Sequence, residues 1–145
     1  MTSAIARNDL KMVEKLVQLG ANVNMVIPCY SYFNKSWHSY FTSPLLTAVE
    51  MARTEVVMAV LNFGAKINMV VKTAAKGELD AETLAEQRQD FSVINGLKRH
   101  KRTLLSLKEM CRFEIRHQLI SLKNYKYIEE LPVPNPVINY LKFLH

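Results

Sequence analysis

Apolar residues recur at helical spacing along most of this chain. Val56, Val57, Val60 and Leu61 fall at i, i+1, i+4 and i+5, one buried stripe of a helix. Met12, Val13, Leu16 and Val17 draw the same stripe near the N-terminus. Leu107, Cys111, Ile115 and Leu119 recur every fourth residue and predict another helix, with Ser106 as N-cap and Glu109 completing a capping box. Met110, Phe113, His117 and Ile120 form a second face of that helix, and Lys108, Arg112 and Gln118 its polar edge. A short helix with two apolar faces needs two packing partners, its own domain and another protein. Leu131-Pro132-Val133-Pro134 then makes an extended corner, because proline fixes φ and restricts the residue before it. Asn135 is expected to cap a final helix, with Pro136 in the first helical position and Val137, Tyr140, Leu141 and Leu144 at i, i+3, i+4 and i+7. Alternating runs of strand type are scarce, so the expected fold class is all-α.

Two of these stripes belong to a repeat. Ala4 aligns with Ala48 and Gly20 with Gly64, each pair 44 positions apart. Both units end in a Gly-Ala-x-aliphatic-Asn-Met-Val string, Gly20 to Val26 and Gly64 to Val70. Pro44 opens a short helix, Ala48 is small enough for close helix approach, and Gly64 ends the second helix in a left-handed turn. These features resemble the ankyrin repeat, whose Thr-Pro-Leu-His opening appears as Ser43-Pro44-Leu45-Leu46 and whose Gly-Ala-Asp-Val-Asn ending appears as Gly20-Ala21-Asn22-Val23-Asn24 and Gly64-Ala65-Lys66-Ile67-Asn68. Leu46 stands where the family has histidine and removes a hydrogen bond the family uses. Residues 1–70 are therefore expected to be ankyrin repeats, the first lacking its opening, as in a short isoform or a fragment of a longer array. The spacing exceeds the ankyrin period of about 33 by about eleven residues. That surplus is an insert, 27–41, holding six of the chain's thirteen aromatic residues. The insert either covers the bare end of the solenoid or binds a protein client, with Trp37 and Tyr40 as the anchors. Residues 71–103 read as a degenerate repeat or capping segment followed by a basic linker, with Asp80 capping a helix and Gly96 interrupting the packing.

The C-terminal segment, 104–145, resembles the SOCS box. The small-Leu-x3-Cys-x3-aliphatic pattern of that family appears as Ser106-Leu107, Cys111 and Ile115, and its Leu-Pro-x-Pro motif as Leu131-Pro132-Val133-Pro134. Box and repeats together resemble the ankyrin repeat and SOCS box family. The resemblance implies a short ankyrin solenoid followed by a three-helix box. It further implies that Leu107, Cys111 and Ile115 bind Elongin C, which travels with Elongin B. Leu131, Pro132, Val133 and Pro134 would bind cullin-5 with its RING protein. The chain would then be the non-catalytic, client-binding subunit of a ubiquitin ligase. The rival reading is an ankyrin interaction scaffold without ligase function.

Composition narrows this further. Apolar residues make up 49% of 145 positions, enough for a real core. No apolar run is long enough to span a bilayer and no leader-type segment opens the chain, so the expected location is cytoplasmic or nuclear. The two cysteines, Cys29 and Cys111, read as free thiols, Cys111 as a packed thiol on an apolar stripe rather than a nucleophile. The histidines and cysteines lack metal-ligand spacing, and no cofactor is implied. Much of the net charge of +6 sits in Lys98-Arg99-His100-Lys101-Arg102. No aromatic residue interleaves with that run, so nucleic acid is not the expected partner and a solvated linker is the expected role.

Overall fold

The computed structural model describes residues 1–33, 36–73, 77–103, 105–122 and 124–143, without the side chains of residues 31–33, 36–39 and 73. Among them the chain is mostly helical, with a few short strands. Three helix pairs succeed one another: α1 (Thr2–Ala6) with α2 (Leu10–Gln18), α3 (Pro44–Glu50) with α4 (Thr54–Asn62), and α5 (Ala81–Gln87) with α6 (Phe91–Arg102). The first helices stack in order, α1 on α3 on α5, and α4 packs along α6. Ala4, Ala48 and Ala85 are all buried at equivalent positions of that stack, where a methyl side chain permits close approach. Each pair turns at one non-glycine residue with positive φ: Asn8, Ala52 and Gln89. The core runs through the pairs and includes Ile5, Val13, Leu45, Val49, Val56, Val57, Val60, Leu61, Val93 and Leu97, all at most 2% exposed.

The helix starts obey local sequence rules. The Asp9, Ser43, Asp80 and Asp90 side chains each accept a hydrogen bond from the backbone N–H three residues on. Pro44 lies in the first turn of α3. Gly20 and Gly64 leave α2 and α4 at φ +92° and +93°, a conformation that excludes most other residues. The asparagine of the shared string has a structural task. Asn24 donates to the Gly64 carbonyl oxygen (3.1 Å) and accepts from the Lys66 N–H (2.9 Å), tying the end of one unit to the end of the next.

Several expectations need correction. The fold is α-rich as expected, but not purely helical. The aromatic insert forms an antiparallel hairpin, β1 (Ile27–Phe33) and β2 (Ser36–Thr42), in register from Ile27 opposite Thr42 to Phe33 opposite Ser36. A second, shorter hairpin joins the next pairs, β3 (Val71–Thr73) and β4 (Gly77–Leu79). Aromatic residues favour a pleated, half-buried surface, and that preference decides the insert. The basic run is not a linker either. α6 continues through Gly96 to Arg102, and four of its five basic side chains, Arg99 to Arg102, occupy the last turn, where they complement the helix dipole. Lys101 stands where Gly20 and Gly64 stand in the earlier units, so the left-handed exit is missing and the helix runs on. Among the described residues no helix is long and apolar enough to cross a membrane.

Candidate functional site

The C-terminal segment builds α7 (Leu107–Ser121), a 3-10 helix (Tyr125–Glu130) and α8 (Asn135–Leu141). Ser106 caps α7 as its sequence predicts. Its hydroxyl accepts from the Glu109 N–H (3.2 Å), and the Glu109 carboxylate accepts from the Ser106 N–H (2.9 Å). The bond from the Ser106 N–H, and then the one the Ser106 hydroxyl donates to the carboxylate (2.8 Å), lower the Glu109 pKa. Leu107 is 73% exposed, Cys111 is exposed, Ile115 is 40% exposed, and Leu122 beyond the helix end is 65% exposed. The predicted stripe thus exists and faces outward. Leu119 departs from it and packs inward beside Tyr125, Ile128 and Leu141, because its position has rotated about 120° from Leu107 at 3.6 residues per turn. Cys111 is not packed within this chain, although its place on an apolar stripe suggests it; its thiol is exposed.

The inward face of α7 is arginine, a signal the apolar pattern does not carry. Arg116 is 4% exposed. It donates to the Tyr125 hydroxyl, to the Leu141 carbonyl oxygen (2.6 Å) and to the Val17 carbonyl oxygen (2.7 Å). Val17 and Leu141 lie at the C-terminal ends of α2 and α8, where carbonyls lack helical partners. One guanidinium therefore caps two helices at once, and the negative ends of their dipoles compensate its charge in place of a carboxylate. Burial pushes its pKa down from the ordinary arginine value, against the Tyr125 contact. The Tyr125 hydroxyl reaches the Gln18 carbonyl oxygen (3.3 Å). Arg112, assigned to the polar edge, instead stacks half-buried on Tyr140, 3.4 Å from the ring centroid, and on Phe143 at 4.2 Å.

Aromatic rings complete the junction. Phe143 packs with Val17 and Val23 and meets Phe63 edge to face at 5.2 Å. Gly20 and Gly64 serve here a second time. A Cβ on Gly20 would collide with the Tyr125 ring, and one on Gly64 would lie 2.7 Å from Phe113. The same two glycines that turn the chain also admit the rings of the C-terminal segment.

At the second motif, Leu131 is half-buried against the Tyr125–Ile128–Leu141 cluster, while Pro132, Val133 and Pro134 are exposed. Pro134 itself is the N-cap of α8, with no side-chain cap, so Asn135 is the first helical residue rather than the cap. Ile138 and Leu141 are the buried residues of α8; Val137 is 42% exposed, and Leu144 lies outside the described residues. In the hairpin, Tyr40 is half-buried opposite Cys29, and burial, then the Cys29 contact, raises its pKa. Trp37 sits opposite Tyr32 in the strand register, with its side chain outside the described residues. Among the described residues no group of histidine, cysteine and acidic side chains could hold a metal ion.

The SOCS box family model matches residues 103–142, the segment that holds α7, the 3-10 helix and α8. That match links the segment to adaptors of Elongin B/C–cullin ubiquitin ligases and does not extend to the helix pairs. No curated protein matches the chain.

Proposed function

We propose that the chain is the substrate-recognition subunit of an Elongin B/C–cullin-5 RING ubiquitin ligase. The observation that carries this reading is the outward stripe on α7. Leu107, Cys111 and Ile115 are the residues of the SOCS box pattern, and they lie exposed on a helix whose opposite side is already held by Arg116. Exposed apolar side chains in line mark a docking surface. Elongin C covers this stripe, and the exposed Pro132-Val133-Pro134 corner takes cullin-5. The helix pairs with their hairpins form a short ankyrin solenoid, residues 1–103, in front of the box. The β1–β2 hairpin, with Trp37 and Tyr40, is the candidate client surface. The chain holds a client near the ubiquitin donor and carries out no bond chemistry itself. An interaction scaffold without ligase function would leave the outward stripe without a purpose.

The test is the Leu107→Ser, Cys111→Ser double variant, co-expressed with Elongin B/C. Both positions are exposed, so the helix content by circular dichroism is expected to stay unchanged. Co-purification of Elongin B/C is expected to be lost, since a fully buried leucine contributes about 1.5–3 kcal/mol. Undiminished recovery by the folded variant would overturn the proposal.

A further inference from the structure

The outward stripe and the junction lie on opposite sides of α7. Arg116 follows Leu107 by nine residues, about half a revolution at 3.6 residues per turn. One side of the helix is open to a partner while the other is tied down. Arg116 and the Tyr125 hydroxyl hold the carbonyls of Val17 and Gln18 at the end of α2, and Phe143 meets Phe63 at the end of α4. From that end of α2 the chain runs into the aromatic hairpin, which starts at Ile27, and on the way Asn24 is bonded to Gly64 and Lys66. The connection between α6 and α7 makes no such ties. Thr103 and Ser106 are both extended, at ψ 115° and 151°. The hydrogen bonds of Thr103 run back to Arg99 and His100, and those of Ser106 run forward to Glu109 and Met110. None of these bonds joins one helix to the other.

On the ligase reading above, we propose that the Arg116 junction, and not the connection from α6, sets the direction of the outward stripe relative to the β1–β2 hairpin. Arg116 is then a positioning residue: it does not hold Elongin C, it aims what Elongin C carries. Packed rings can slide over one another, whereas a planar guanidinium bonded to three acceptors also fixes rotation. A fixed approach between ubiquitin donor and client favours particular lysines, as any held geometry favours particular reacting atoms.

The first test uses the full chain alone. Tyr30, 68% exposed on the hairpin, is replaced by cysteine in a Cys29→Ser background, and spin labels are placed there and on the exposed Cys111. Double electron–electron resonance is expected to give one narrow distance, which Arg116→Met broadens. Tyr125→Phe keeps the ring beside Gly20 but loses the hydroxyl, and is expected to broaden the distance as well, so it decides the matter alone if the methionine variant does not fold. Leu84→Ala opens a cavity in α5, away from both labels, and is expected to leave the distance narrow. A narrow distance in the junction variants, or equal broadening by Leu84→Ala, would overturn the proposal. The second test is autoubiquitylation with Elongin B/C, cullin-5, its RING protein and a ubiquitin-conjugating enzyme, mapped lysine by lysine by mass spectrometry on unlabelled chains. The junction variants are expected to recover Elongin B/C as the wild type does and to lose the wild-type preference among lysines. An unchanged preference beside a broadened distance would overturn the positioning role. Failure of the wild type to recover Elongin B/C would instead strike the ligase reading, and the positioning role with it, whatever the distances show.

Discussion

Replacing Arg116 by methionine tests whether a buried cation is what joins the box to the helix pairs. Methionine keeps most of the apolar stem and removes the five donors. Three acceptors then lose a hydrogen bond: the Tyr125 hydroxyl, the Leu141 carbonyl and the Val17 carbonyl, which keeps the Gly20 N–H. Hydrogen bonds from a charged group contribute about 1.5–3 kcal/mol each, but three on one guanidinium are not additive. Against their loss stands the desolvation cost of burying the cation, which the variant no longer bears. The balance is a net destabilisation of about 3 kcal/mol. For a chain of this size about 2–4 °C of Tm accompanies each kcal/mol, so Tm falls by about 10 °C. Arg116→Lys keeps the charge, yet its single nitrogen cannot span two helix ends, and it recovers less than half of the loss. Urea unfolding gives the free energy and differential scanning fluorimetry the Tm. Hydrogen exchange adds the specific readout: the amides of Gly20 and Ala21, which bond back to the carbonyls of Val17 and Leu16, lose protection together with those of α8. A methionine variant within about 1 kcal/mol of wild type, or one that loosens α8 alone, would refute the two-helix cap.

The same geometry gives three further expected outcomes. Gly64→Ala places a side chain at φ +93° and against the Phe113 ring, and is expected to cost at least about 1 kcal/mol by urea unfolding; Ala59→Gly, on α4 itself, serves as a control of purely helical cost. Glu109 has a folded pKa below its unfolded one, so its capping contribution is present above the unfolded value of about 4.3 and is lost as pH falls through the folded value; the Ser106 amide signal in NMR is expected to shift in that acidic window and to stay flat from pH 5 to 8. Alanine in place of Leu131, Pro132, Val133 and Pro134 is expected to abolish cullin-5 recovery in pull-downs while Elongin B/C is retained; joint loss would show that the corner supports the whole box.

Much of this architecture can be read from residue order because its signals are local. The Ser106–Glu109 capping box, the Asp80 cap and the outward stripe each depend on residues three or four apart, a separation a helix converts directly into contact. The third helix pair is obscured because its exit glycine is replaced by Lys101, although Ala85 repeats Ala48 and Ala4. The hairpin is hard to read because apolar content counts as a helix signal, while strand preference is set by what the sheet surface packs against. The junction cannot be read at all. Nothing near Arg116 in sequence distinguishes it from Arg112 or Lys108. Its role is assigned by carbonyls 99 and 25 positions away, and those partners meet only after the chain has folded back.

That return has a consequence in time. Phe143 and Arg116 close the face of α2 that includes Val17, yet they are made 126 and 99 residues after it. The ribosome adds about 5–20 residues per second. Between Val17 and Phe143 it must add 126 more, so about 6–25 s pass before the wedge exists. Until then Val17 and Val23, and Phe63 once it is made, lack the Phe143 cover on the nascent chain and are open to holding by chaperones. A stop codon anywhere before α8 would leave that surface without its Phe143 cover.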